Sequence, residues 1–325
     1  MQNIGFFSPQ IMHIPDGFLS VVVSALFWLT SLIILYFAVK NTQKRLNDRL
    51  VPLMGVMAAA IFAGQMLNFT VIGGTSGHLL GAALATIILG PWPAVVVMTS
   101  VVSIQALIFQ DGGVLALGAN LFNMAVVGVF VSYAVYRFFI TILKKVKYSN
   151  AIAGFLAAWA SIFIASLSCA LQLTLSGTSP ANIVIPAMAG IHALIGLGEG
   201  MITVGAILFI QSVRKDLLIA ETARSGDQKV IIVGGLIISA ILAILSPLAS
   251  SHPDGLEWVA EKSGFMSSAK DAFYSIIPDY SLPGVQNENL ATISAGIIGL
   301  LLVFLISFGW ARLKKPSKKD MISEG

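Results

Sequence analysis

The sequence predicts an all-α integral membrane fold of about nine spans, with the N-terminus outside and the C-terminus in the cytoplasm, and three observations carry that prediction. Charged residues make up 10% of the 325 positions and hydrophobic residues 57%, where soluble domains carry about 25% charged. The mean hydropathy is +0.89, and the apolar residues gather into runs long enough to cross about 30 Å of hydrocarbon as helix. Seventeen of the nineteen Lys and Arg residues fall in four stretches that alternate with those runs.

In chain order the runs are 17–39, 51–69, 79–90, 92–109, 114–139, 151–175, 183–211, 229–249 and 290–311. The first stops at Lys40, and the second starts after Arg49 and ends before the Gly73-Gly74-Thr75-Ser76-Gly77 loop. The third is short, because Gly90-Pro91-Trp92-Pro93 forces a turn; such a half-length element survives only where protein or a cavity covers its ends. The fourth ends at the Asp111-Gly112-Gly113 turn, and the fifth ends among basic residues. The sixth carries the single cysteine, Cys169, which excludes an internal disulfide and reads as a small core residue. The seventh carries His192 and Glu199 and ends at the charged stretch Arg214 to Lys229. The last two flank a loop, 250–289, rich in Ser, Pro, Asp and Glu.

Lys40, Lys44, Arg45 and Arg49 form one basic stretch; Arg137, Lys144, Lys145 and Lys147 the second; Arg214, Lys215, Arg224 and Lys229 the third; Arg312 to Lys319 the last. All four share one side if odd-numbered spans run inward, and only Lys262 and Lys270 fall opposite. The positive-inside rule then sets the orientation, in the cell membrane. Two modules follow: residues 12–213, a cytoplasmic linker 214–228, and a two-span domain 229–325 with its external loop 250–289. Despite a pI of about 9.2, the basic residues form no aromatic-interleaved stripe, which excludes nucleic acid as a partner and leaves the lipid bilayer. Residues 1–11 lack the regions of a signal peptide.

Ahead of the first run stands Met12-His13-Ile14-Pro15-Asp16-Gly17-Phe18. With Met12 as a free N-terminus, its amine, the backbone nitrogen of His13 and the His13 ring Nδ1 can grip one ion through a five-membered and a six-membered chelate ring. A second histidine would complete a square plane. Ionising the peptide N–H is within reach of late transition ions such as Ni(II) or Cu(II), not of Mg(II) or Ca(II). Met1 to Ile11 precede Met12, and while they are attached that amine does not exist.

Other polar residues each allow two readings. His78 is a helix-start histidine bonded to backbone, or a metal ligand approached closely past its glycines. His192 and Glu199, seven residues apart on one helix face, mark a tightly packed small-residue interface or an ion or proton path. Gln105, Asn120 and Asn123 pose the same choice, with inter-helix bonding or support of a ligand histidine preferred to direct ligation. A G-x-x-x-x-G-K-[ST] loop is absent from the sequence, as is H-E-x-x-H, so the chain has neither a P-loop ATPase site nor the helix of a zinc metalloprotease.

Taken together, MHIPDGFLS at 12–20, GGTSGHLLGAALATIILGPWPA at 73–94, QALIFQDGGVLALGANLFNMAVVG at 105–128 and GIHALIGLGEGMIT at 190–203 resemble the CbiM/NikM family, the substrate-specific membrane subunits of energy-coupling-factor (ECF) transporters for cobalt and nickel. Pro253-Asp254-Gly255-Leu256-Glu257 resembles the PDGLE-type accessory subunit, NikN or CbiN, fused behind it. The resemblance implies a seven-helix bundle plus two further helices, and a planar four-nitrogen site that carries over to Met12, His13 and His78. It implies Ni(II) or Co(II) as transported ligand, with no catalytic cofactor, and as partners a membrane coupling (T) subunit and cytoplasmic ATPase subunits. The family pattern begins at Met12. Translation from Met12, removal of an upstream segment, or a site without the amine would each account for residues 1–11, and the first is the expectation.

The function expected is high-affinity nickel or cobalt uptake by a transport subunit, not an enzyme. A proton-coupled secondary metal transporter using Glu199 and His192 is the alternative from another class. An intramembrane metalloenzyme is disfavoured, since a closed nitrogen plane leaves no position for an activated water. A metal-sensing or structural membrane protein is a third rival.

Overall fold

The computed structural model describes residues 13–213 and 228–314. Met1 to Met12, Arg214 to Asp227 and Lys315 to Gly325 lie outside the described residues, and with them Met12 and most of the expected linker.

Among the described residues each of the nine predicted runs carries a helical stretch, the fifth of them two short helices joined by a π-turn. Helix α1 is Val21–Gln43 and α2 Leu50–Gln65. A hairpin follows, β1 Phe69–Val71 with β2 Thr75–Gly77, in register Phe69 to Gly77 and Val71 to Thr75. Next come α3 Ala82–Leu89 and α4 Pro91–Ile104, the latter extended by a π-turn, Gln105–Phe109. The short α5 Leu117–Leu121 passes through a second π-turn, Phe122–Val127, into α6 Gly128–Ile142. Then follow α7 Ser149–Leu175, α8 Ala181–Val213, α9 Gln228–Leu245, the short α10 Gly255–Lys262 and α11 Glu288–Lys314.

Two features depart from the expectation. Among the described residues seven helical stretches are long and apolar enough to cross a membrane, while α2 has 16 residues and α3 has 8. A 16-residue helix spans about 24 Å, and α2 stops at Gln65 because the chain turns into the hairpin, an element the all-helical reading did not contain. Helix α1 starts later than predicted because Ser20 takes the N-cap, its hydroxyl accepting from the Val23 N–H. The Pro-rich break behaves as the sequence requires: α3 ends at Leu89, Gly90 turns the chain with φ 81°, and Pro91 opens α4, where its missing N–H costs nothing.

Helix α2 is almost wholly buried, because α9 and α11 of the second module cover it. The close approaches require glycine: a Cβ at Gly235 would stand 2.1 Å from Val56, and one at Gly299 2.1 Å from Phe62. Side chains of α2, α4, α9 and α11 share one core cluster. The loop after α9 is ordered by contacts with the first module. Ser76 N–H donates to the Pro253 carbonyl at 2.8 Å, Lys270 N–H to Asp16 at 2.7 Å, and Ile277 N–H to Ile108 at 3.1 Å. It thereby closes over the end of the bundle where the N-terminal segment lies.

Candidate metal centre

Residues 13–17 form a strap held by the turn between the first π-turn and α5. Asn120 presents its amide as a second backbone: Oδ1 accepts from Ile14 N–H and Nδ2 donates to the Ile14 carbonyl, each at 3.0 Å. Gly113 N–H adds a bond to the Ile14 carbonyl at 2.9 Å. The Asp16 carboxylate accepts from Val114 N–H at 3.1 Å and Ala116 N–H at 3.0 Å. A Cβ at Gly113 would lie 2.0 Å from Asp16, so the strap can seat only against glycine. This explains why the Pro-Asp-Gly of the strap and the Asp-Gly-Gly of the turn belong together.

The strap delivers His13, 4% exposed, into a cavity of about 80 Å³ that His78, His192, Cys169 and Asp254 also line. The His13 and His78 rings sit edge-on, with centroids 5.8 Å apart. Two imidazoles side by side in a square plane, with bonds of about 2 Å, have centroids about 4.5 Å apart; at 5.8 Å the two rings are neighbours that would have to close by about 1.3 Å to share such an ion. His78, half-buried, has Nδ1 at 3.2 Å from the Leu79 carbonyl.

His13 Nδ1 lies 2.9 Å from Asp111 Oδ1 and 3.2 Å from the Asp111 carbonyl oxygen, while the buried Nε2 has no hydrogen-bond partner among the described residues. A chelate through Nδ1 and the residue's own backbone nitrogen therefore requires the ring to turn about its Cβ–Cγ bond. Burial alone would lower the His13 pKa, but the Asp111 carboxylate outweighs it and raises the pKa above 6.5. Burial would likewise raise Asp111, and His13 together with the Tyr280 hydroxyl pulls it below the usual carboxylate range. Among the described residues no three His, Cys, Asp or Glu side chains converge closely enough to hold a metal by themselves.

The remaining candidate residues fall into distinct roles. Glu199 Oε2 accepts from Leu80 N–H at 2.7 Å and Oε1 from Gly81 N–H at 3.1 Å. The carboxylate thus caps the start of α3, just after His78, as N-terminal N–H groups favour. His192 shares its helix face but is engaged separately, with Nδ1 donating to the Met188 carbonyl at 2.9 Å. Asn123 and Gln172 exchange amide bonds at 2.8 Å in both directions, joining the second π-turn to α7. Gln105 is fully buried at the start of the first π-turn, its side-chain amide beside the Tyr280 hydroxyl.

Three residues were not recognised from sequence. Asp111, read as a surface turn, is buried against His13. Tyr280 OH donates to Asp111 Oδ2 at 2.6 Å. Asp254, from the second module, lines the cavity and caps α10 by accepting from Glu257 N–H at 2.7 Å. The spacing Asp254-x-x-Glu257 is a capping-box signature that could have located α10.

Residues 13–217 match the family described as "Cobalt uptake substrate-specific transmembrane region", and residues 228–316 match the PDGLE domain. The chain is 35% identical to the putative fused nickel transport protein NikMN of Archaeoglobus fulgidus over 94% of this chain and 100% of that one. It is 29% identical to the fused nickel transport protein NikMN of Rhodobacter capsulatus over 90% and 95%. A crystal structure titled as a truncated transition metal transporter superposes with a TM-score of 0.54 at 36% identity, covering 62% of this chain and 99% of that one.

Proposed function

Because the chain belongs to the cobalt-uptake substrate-specific transmembrane (CbiM) family, with a PDGLE domain fused behind it, we propose that it is the substrate-binding subunit of an ATP-driven ECF-type importer for nickel or cobalt. It is a multi-pass membrane protein of a metal-transport family. The ion is captured from outside by Met12, His13 and His78 and released inward when a partner reorients the bundle. The single observation that supports this most is the meeting of the His13 and His78 rings at 5.8 Å in one cavity.

A membrane coupling subunit and a pair of cytoplasmic ATPases supply the energy. On this reading the chain divides into 12–213, a cytoplasmic linker 214–228 and a tail domain 229–325, with the tail's loop at the outer mouth. Nickel is preferred over cobalt, because a four-nitrogen plane suits Ni(II) and because the full-length fused relatives carry nickel in their names. The proton-coupled alternative loses support from Glu199, whose two oxygens are both engaged by the start of α3.

The test is radioactive nickel uptake by cells expressing the chain with its coupling and ATPase subunits, alongside nickel binding by the purified full chain. His78→Ala is expected to abolish both tight binding and uptake while the protein remains folded. Wild-type affinity in that variant would overturn the site, and full uptake without ATPase partners would overturn the ECF reading.

A further inference from the structure

The tail meets both histidine-bearing segments of the first module, and it does so through main chain. Asp254 pairs with Ser76 as a parallel bridge, two residues before His78, and Lys270 pairs with Asp16 as an antiparallel bridge, three residues after His13. At the first point Ser76 N–H donates to the Pro253 carbonyl at 2.8 Å, the Ser76 hydroxyl to the His252 carbonyl at 2.8 Å, and the Thr75 hydroxyl to the Pro253 carbonyl at 3.0 Å. Thr75 and Ser76 are fully buried. At the second, Lys270 N–H donates to the Asp16 carbonyl at 2.7 Å, and a Cβ at Gly17 would stand 2.0 Å from the Ser268 carbonyl oxygen. These bonds use no imidazole nitrogen, so all of them can persist when an ion takes the rings.

The stretch that joins the two points is stiff. Asp254 caps α10 by accepting from Glu257 N–H at 2.7 Å, and the eight residues of α10 span about 12 Å. Leu256, Val259 and Ala260 share one core cluster with Ile14 and Phe18 of the strap, and the Phe265 ring meets Phe18 edge-on at 5.1 Å. A Cβ at Gly255 would stand 2.7 Å from Ile195 and 2.9 Å from His192 of α8, so α10 has no room to slide along the cavity wall.

We propose that residues 253–270 of the tail are a ruler for the metal site: by fixing main chain at Ser76 and at Asp16 they set the distance from which the His13 and His78 rings close on one ion. This rests on both histidines being ligands. The rings stand 5.8 Å apart and must approach by about 1.3 Å to share an ion in a square plane. Side-chain rotation supplies a shift of that size only while both main-chain segments stay in place, and a site about 1 Å too loose loses its geometry. The tail thus acts without giving the ion a donor atom.

The test measures binding of Ni(II), the metal alone as probe, to the full chain in nanodiscs, by calorimetry and by the visible band of square-planar nickel, alongside nickel uptake by the assembled transporter. Thr75→Val combined with Ser76→Ala removes both hydroxyl bonds at the first point. Lys270→Pro removes the N–H at the second, where Ala269, at φ −60° and ψ 140°, already has the backbone that a residue before proline adopts. Each should still bind one nickel, about tenfold more weakly, with a weakened square-planar band, because a share of the molecules no longer brings His78 to the ion. The half-saturating nickel concentration for uptake should rise with the maximal rate unchanged. Releasing both ends should cost no more than releasing one, since a ruler freed at either end sets no distance. Thr75→Ser keeps its hydroxyl, Lys270→Ala keeps its N–H, and Tyr274→Phe removes a hydroxyl of the same loop that reaches only the Ala106 carbonyl at 3.4 Å; all three should bind as wild type.

Wild-type affinity in either released variant overturns the ruler. So do losses that multiply when the two ends are released together, which would mark two separate packing defects, or an equal loss in Tyr274→Phe. His78→Ala separates the two levels: if it abolishes binding while the released variants bind as wild type, the site stands and the ruler falls; if it binds as wild type, the site itself falls.

Discussion

His13 Nδ1 and Asp111 Oδ1 stand 2.9 Å apart in the interior of the protein, 98 residues apart in the chain. Nickel requires the unprotonated imidazole, so the proton that Asp111 favours on His13 competes with the ion. Since the His13 pKa is raised above 6.5 in the fold, nickel affinity should fall as pH drops, with the decline setting in above that value. Asp111→Asn removes the raising charge and leaves burial, which lowers the pKa, so its decline should shift to lower pH. Titration calorimetry with nickel between about pH 5.5 and 8.5 checks the sign.

Asn120 holds Ile14 by both of its backbone groups. Asn120→Ala leaves the buried Ile14 N–H without its acceptor, at a cost of about 1–3 kcal/mol. The thermal midpoint should fall, amide exchange at Ile14 should accelerate, and nickel affinity should weaken because the strap carries His13. Unchanged exchange at Ile14 would contradict the strap.

Glu199 caps α3 with both oxygens. Glu199→Ala leaves two buried N–H groups unpaired and should destabilise the protein by about 2–3 kcal/mol. Glu199→Gln keeps one acceptor, and should lose less stability and retain nickel uptake. If Glu199→Gln instead stopped transport with stability intact, a proton-carrying role would replace the structural one.

Asp254 is 4% exposed. Burial pushes its carboxyl up to about 7, against the cap bond from Glu257 N–H, which favours the ionised form. A folded pKa raised above the unfolded value of 3.8 means that the docked loop binds the proton more tightly. Its contribution to docking is therefore full at low pH and lost as pH rises through about 7. Protection in α10, after correction for the intrinsic rise of amide exchange with pH, should fall between about pH 4 and pH 7 and level off above that. Asp254→Asn, which still caps a helix, should remove that dependence.

The helices were legible because lipid permits little else: a long apolar run such as 151–175 has no soluble alternative, and Gly90-Pro91 must interrupt one. His13 and His78 could be singled out as candidates because each stands in a glycine-bearing motif, and the fold brings their rings within 5.8 Å of each other. The hairpin was not, although Gly73-Gly74 between Phe69-Thr70-Val71 and Thr75 is a turn signal, since three-residue strands carry almost no alternation. Asp111, Tyr280 and Asp254 were not legible because their meaning comes from contacts between modules, and no periodicity in the chain encodes a bond 169 residues long in sequence.

Native mass spectrometry of the chain expressed from its own gene context reads the mature N-terminus and the retained metal in one spectrum. A chain beginning at Met12 with one bound nickel or cobalt is the expected result. A chain that keeps Met1 and holds no metal would contradict the chelate of Met12, His13 and His78.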